Sequence, residues 1–148
     1  EIELIIKIKK LGKSINLEYA NDYYSEIGLG IDFTARDLQQ KCKKEGRPWE
    51  IAKAFDQSAV ISEKFIEIKS LNEINFSLKK NGKIVQKSNF KEMIFSPNQI
   101  IHYVSKYMTL KIGDLIFTGT PSGVGPIKIG DKLEGFINDQ KMLSVNIK

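Results

Sequence analysis

The sequence is poor in the residues that carry several common chemistries. It has one cysteine, Cys42, and one histidine, His102. A single cysteine excludes a disulfide framework and a cysteine-built zinc site, and a free thiol fits a reducing cytoplasm. Of the 23 basic residues only Arg36 and Arg47 are arginines. Nucleic-acid readers cluster arginine among aromatics, whereas these lysines are scattered, with Lys41, Lys43 and Lys44 the densest group. The net charge of +5 and pI near 9.2 therefore read as a solvated lysine surface, or as a field that draws anions to a site. No stretch approaches the roughly 20 apolar residues of a membrane span. Residues 1–10 alternate apolar and charged, unlike a signal or transit peptide.

What is present fits one globular domain. The chain has 148 residues, 41% of them hydrophobic and 28% charged, and shows no linker, repeat or low-complexity tract. A domain of this size buries roughly two-thirds of its unfolded surface. The pattern is mainly β with short helices (α+β). Ile2, Leu4, Ile6 and Ile8 alternate with Glu1, Glu3, Ile5 and Lys7, a strand with one face turned to the core. Residues 17–24 form a short helix. Residues 27–33 form an apolar strand whose Gly28 and Gly30 admit another backbone. Thr34 caps a helix over 35–44 that Gly46 ends. Asn81-Gly82, between residues 74–79 and 84–87, is the strongest hairpin signal. Pro97 opens a helix over 98–108. Residues 115–118, 131–137 and 142–147 are strands.

Few residues carry candidate chemistry. Glu1 and Glu3 sit two apart on a strand and so share a face. They are either solvated at a chain end or a site whose charge a divalent cation offsets. Asp32, ending an apolar strand, is a helix cap or a third ligand. Together the three make an all-oxygen set of the kind Mg²⁺, Mn²⁺ or Ca²⁺ prefer. Lys53, among Ile51, Ala52, Ala54 and Phe55, either snorkels to the surface or stands near carboxylates, where it would stabilise a developing oxyanion. The loop over 119–125 lacks the Gly-Lys-Ser/Thr of a phosphate loop, and no Gly-x-Gly-x-x-Gly occurs elsewhere. It is a turn facing an anion or a structural turn. His102, beside Tyr103, reads as a packed helix residue rather than a base.

Four fragments occur in a recognisable order: Glu1-Ile2-Glu3; Gly30-Ile31-Asp32-Phe33-Thr34-Ala35-Arg36-Asp37-Leu38-Gln39; Trp49-Glu50-Ile51-Ala52-Lys53-Ala54-Phe55-Asp56; and the segment from Lys111 through Thr118-Gly119-Thr120-Pro121 to Gly125. In this order they resemble the fumarylacetoacetate hydrolase family almost end to end. The wording is closest to its acylpyruvase and oxaloacetate decarboxylase branch, which sequence barely separates from hydroxymuconate isomerases and hydratases. The resemblance implies a mixed β-sandwich or roll, usually a homodimer. It makes Glu1, Glu3 and Asp32 the ligands of Mg²⁺ or Mn²⁺ and Lys53 the catalytic lysine beside the metal. Arg36, Gln39, Gly119 and Thr120 become substrate-binding residues. The implied activity is cleavage of C–C bonds in 2-oxo acids through a metal-stabilised enolate, by acylpyruvate hydrolysis or oxaloacetate decarboxylation. The alternatives are isomerisation, or binding of metal or small acids without turnover. Family members also carry, ahead of the Glu-x-Glu strand, a lid segment with a His and a Glu that activate water. Because the sequence starts at the first glutamate, the expectation is a catalytic domain read without that lid.

Overall fold

The computed structural model describes residues 1–68 and 70–148. Strand β1 (Ile2–Ile8) is buried on both faces, not one, with only Lys7 partly exposed. Its antiparallel partner is β2 (Tyr24–Asp32), with Glu3 opposite Gly30 and Ile5 opposite Gly28. The second face closes because those glycines leave room for side chains. A Cβ on Gly30 would collide with Ile5 and Phe117, and one on Gly28 with Ser62 and Phe65. Side chains, not the backbone that the sequence suggested, make the close approach. On the first face Ile2, Leu4, Ile6 and Ile8 join the main core. Fully burying such a side chain contributes roughly 1.5–3 kcal/mol, so β1 anchors the domain.

Helix α1 (Arg36–Glu45) follows β2 and stops at Gly46, whose φ of 65° is left-handed. Its N-cap is Ala35, with no side-chain bond, so the expected Thr34 cap is corrected: the Thr34 hydroxyl is taken by Lys53 instead. One turn of helix, α2 (Glu50–Lys53), packs under α1 through the Ala35 N–H bond to Ala52 O at 3.1 Å. Short strands β3 (Ala59–Ile61) and β4 (Ile66–Glu67) pair with β2. A hairpin follows, β5 (Asn75–Lys80) and β6 (Lys83–Asn89). Asn81 and Gly82 both have positive φ, 50° and 80°, as the tightest hairpin turn requires. Helix α3 (Pro97–Ser105) is capped reciprocally by Ser96 and Gln99 and ends three residues before the expected Met108. Strands β7 (Leu115–Phe117), β8 (Lys132–Ile137) and β9 (Gln140–Asn146) complete the chain. The expected helix at 17–24 is a 3₁₀ segment, Leu17–Tyr23.

The strands form two antiparallel sheets. The first has the order β3-β2-β1-β7, with β4 also on β2; the second has the order β6-β5-β8-β9. The main core lies between them, with Leu4 and Leu29 of the first sheet clustered with Phe76, Leu78, Leu133 and Leu143 of the second. This is the mixed, strand-dominated architecture read from the sequence. No helix among the described residues is long and apolar enough to cross a membrane.

Candidate active site

Two periodicities assemble the site. Glu1 and Glu3 share the outer face of β1 by strand alternation, as Gly28, Gly30 and Asp32 share that face of β2. The antiparallel register then sets Asp32 beside Glu1, with the Asp32 N–H bonded to Glu1 O at 2.8 Å. A carboxylate oxygen from each of Glu1, Glu3 and Asp32 lies within 4.8 Å of the others.

Basic and polar groups hold this crowded charge. The Lys53 ammonium donates to Glu1 Oε2 at 2.7 Å, Asp32 Oδ2 at 2.6 Å and Thr34 Oγ1 at 2.7 Å, which uses all three of its hydrogens. Arg36 pairs with the other Glu1 oxygen and donates to Gln39 Oε1 at 3.0 Å. The Gly119 N–H donates to Glu3 Oε2 at 2.7 Å. The Thr120 hydroxyl donates to Ile2 O at 2.8 Å and accepts from Gln86 Nε2 at 3.0 Å. All eight residues named from the sequence thus form one connected constellation. Of these, Glu1, Asp32 and Arg36 line a cleft of about 730 Å³, which Phe55, Gln57 and Gln86 also line. Glu3, Gln39, Lys53, Gly119 and Thr120 are not among its lining residues. Gly119 and Thr120 spend their donors on Glu3 and Ile2.

The environment splits the carboxylates. Burial opposes the Glu1 charge, but the hydrogen bonds from Lys53 and then Arg36 outweigh it and hold its pKa below the usual value. Glu3 goes the other way. Burial raises its pKa, the Gly119 N–H only partly opposes this, and the charges of Asp32 and Glu1 add to the rise. For Lys53, burial is overcome by the bonds to Asp32 and Glu1, so its ammonium is held more firmly than normal. Three negative and two positive side chains leave the cluster one negative charge in excess. A partly buried, all-carboxylate set with that excess fits a hard divalent cation.

Two residues escaped sequence reading. Thr34 resembled a cap, and only the position of Lys53 reveals its role. Gln86 sits in β6 beside Ile84 and Val85, yet it is 3% exposed while both apolar neighbours are exposed. A buried glutamine following two exposed aliphatics is the inverse of hydropathy, a signal visible only once register is known. His102 is elsewhere, on α3. Its Nδ1 is 2.7 Å from Ile15 O, so that nitrogen carries the proton.

The sequence matches the profile "Fumarylacetoacetate (FAA) hydrolase C-terminal" over residues 1–148. The chain belongs to the fumarylacetoacetate hydrolase family. Among relatives in this family, it is 42% identical to the mitochondrial oxaloacetate tautomerase FAHD1 of Mus musculus over 151 residues, covering 100% of this chain and 68% of that protein. It is 44% identical to the mitochondrial oxaloacetate decarboxylase of Dictyostelium discoideum over 137 residues, covering 90% of this chain and 62% of that one. Fumarylpyruvate hydrolase from Pseudomonas aeruginosa, solved in complex with Mn²⁺ and pyruvate, superposes with a TM-score of 0.91 at 39% identity, over 99% of this chain and 64% of that one. The chain therefore spans roughly two-thirds of the length of these family members. They are a tautomerase, a decarboxylase and a hydrolase.

Proposed function

We propose that this protein is a divalent-cation-dependent enzyme acting on small 2-oxo acids, with decarboxylation or tautomerisation of an oxaloacetate-like substrate as its reaction. The observation that carries this reading is the triangle of Glu1, Glu3 and Asp32 with the Lys53 ammonium fixed on its edge. Glu1, Glu3 and Asp32 would hold Mg²⁺ or Mn²⁺, which when bound supplies Lewis-acid charge that stabilises an enolate. With a dication the cluster passes from one negative to one positive charge, suited to a carboxylate-bearing ligand. Lys53, held charged, keeps a second positive centre where negative charge develops, without reorganisation at the moment of reaction. Arg36, half-exposed at the cleft and braced by Gln39, is placed to meet a substrate carboxylate. Hydrolysis of an acylpyruvate asks for more, because a base must take a proton from water. Loss of CO₂ needs no such base, tautomerisation moves a proton between carbon and oxygen without involving water as nucleophile, and the oxaloacetate tautomerase and decarboxylase relatives, 42% and 44% identical, support this reading. Exposed Ile94, Phe95, Tyr103 and Tyr107 support a homodimer.

A substrate panel tests the assignment. Oxaloacetate, fumarylpyruvate and a hydroxymuconate are each supplied with Mg²⁺, Mn²⁺ or a chelator. The expected result is cation-dependent turnover of oxaloacetate above the metal-only rate, with slower hydrolysis of fumarylpyruvate. Turnover that survives the chelator, or preferred hydrolysis, overturns it.

A further inference from the structure

The second sheet contributes a residue to the first sheet's site. Gln86, on β6, uses its whole amide. Its Oε1 accepts from the Ile2 N–H at 3.0 Å, and its Nε2 donates to Thr120 Oγ1 and to Pro121 O, both at 3.0 Å. The Thr120 hydroxyl closes a ring by donating to Ile2 O at 2.8 Å. One side chain thus fastens the residue between Glu1 and Glu3 to the loop whose Gly119 N–H holds Glu3 Oε2. The seam is tight: Gly123, at φ 99°, lies so close to the Val85 carbonyl that no Cβ fits. Gln86 is 3% exposed, so losing one of its partners strands a buried polar group.

We propose that Gln86 is a positioning residue that sets the Glu1–Glu3 spacing and the Gly119 bond to Glu3, and through them cation affinity. It touches no carboxylate and acts through Ile2, Thr120 and Pro121. The inference rests on the reading of Glu1, Glu3 and Asp32 as cation ligands. Groups that orient metal ligands from behind are typically worth about 10–100-fold in affinity.

The test is Mn²⁺ titration by calorimetry, well below the melting temperature, on the unsubstituted chain, Gln86→Leu, Thr120→Val, Thr120→Ser and Phe76→Leu. Phe76 is a buried β5 residue outside the ring, so Phe76→Leu lowers stability alone. The expected result is an affinity loss of about 10–100-fold in Gln86→Leu, a comparable loss in Thr120→Val, and recovery in Thr120→Ser, which keeps the hydroxyl. Phe76→Leu should melt earlier and bind Mn²⁺ normally. Unchanged affinity in Gln86→Leu overturns the positioning role while the cation reading stands. Absence of binding in the unsubstituted chain overturns both. Should Gln86→Leu not fold, Thr120→Val against Thr120→Ser decides alone: equal affinities overturn the proposal.

Discussion

Asp131 and the Glu1–Glu3–Asp32 cluster are both acids held at or near strand ends, Asp131 and Glu3 buried and Glu1 and Asp32 partly so, yet their surroundings differ in kind. Asp131, just before β8, accepts from Asn81 Nδ2 at 2.8 Å and from the Lys128 N–H at 3.0 Å, with Lys80 at 4.0 Å. The Asn81 bond first, and the Lys128 N–H next, hold its pKa below the usual value. Each charge there has its own donors, and the result is a fastened turn. In the cluster, three carboxylates share one lysine, one arginine and one backbone N–H, and Glu3 is pushed the opposite way. An acid satisfied by neighbours is structural. Acids gathered in excess of their counter-charges leave net negative charge that a cation would offset.

The largest effect separating the regions should come from Lys53→Met. With cation bound, turnover should fall about 10²–10³-fold, the usual scale for losing an electrostatic stabiliser. Melting with cation should barely move, whereas melting without it should fall, because Glu1 and Asp32 lose their shared partner. Steady-state kinetics paired with thermal melts would show this. Equal destabilisation in both states with normal turnover would make Lys53 a fastening residue like those around Asp131.

Glu3→Gln should weaken Mn²⁺ binding and yet raise the melting temperature of the cation-free chain at neutral pH. The sign follows from the raised folded pKa. Such an acid contributes stability fully below its unfolded value near 4.5, and that contribution is lost as pH rises through the folded value. Glu1, with a lowered pKa, behaves oppositely: its contribution is present above 4.5 and lost as pH falls through the folded value. Melts across this range on the unsubstituted and Glu3→Gln chains check both signs, and a Glu3→Gln chain that melts earlier at neutral pH contradicts them.

The smallest effect on the site should come from Asp131→Asn. It should lower the melting temperature at neutral pH and leave Mn²⁺ affinity and turnover unchanged, and the gap from the unsubstituted chain should close below pH 3.8, where Asp131 itself takes up a proton. A change in affinity would show that the two regions are coupled.

Much of this difference was legible in the sequence where the physics is local. Strand alternation placed Glu1 and Glu3 on one face, Asn81-Gly82 marked its hairpin, and Gly46 marked the end of α1. Properties set by register were not. The burial of both faces of β1 depends on glycines of β2 facing Glu3 and Ile5, with Phe65 and Phe117 supplied from later in the chain. Thr34 satisfies the local rule for a cap but bonds Lys53, because an ammonium between two carboxylates outcompetes a helix end. Gln86 reaches Ile2 across 84 residues, and its role follows from how the two sheets meet.

Glu1, Glu3 and Asp32 are proposed to form one cation site. Calorimetric titration of Mn²⁺ into the unsubstituted chain and into Asp32→Asn tests it most directly. Asn keeps the shape of Asp32 and removes one charge from the oxygen set. One Mn²⁺ should bind per chain, with most of that affinity lost in Asp32→Asn; equal affinity in the two would rule out a shared three-carboxylate site.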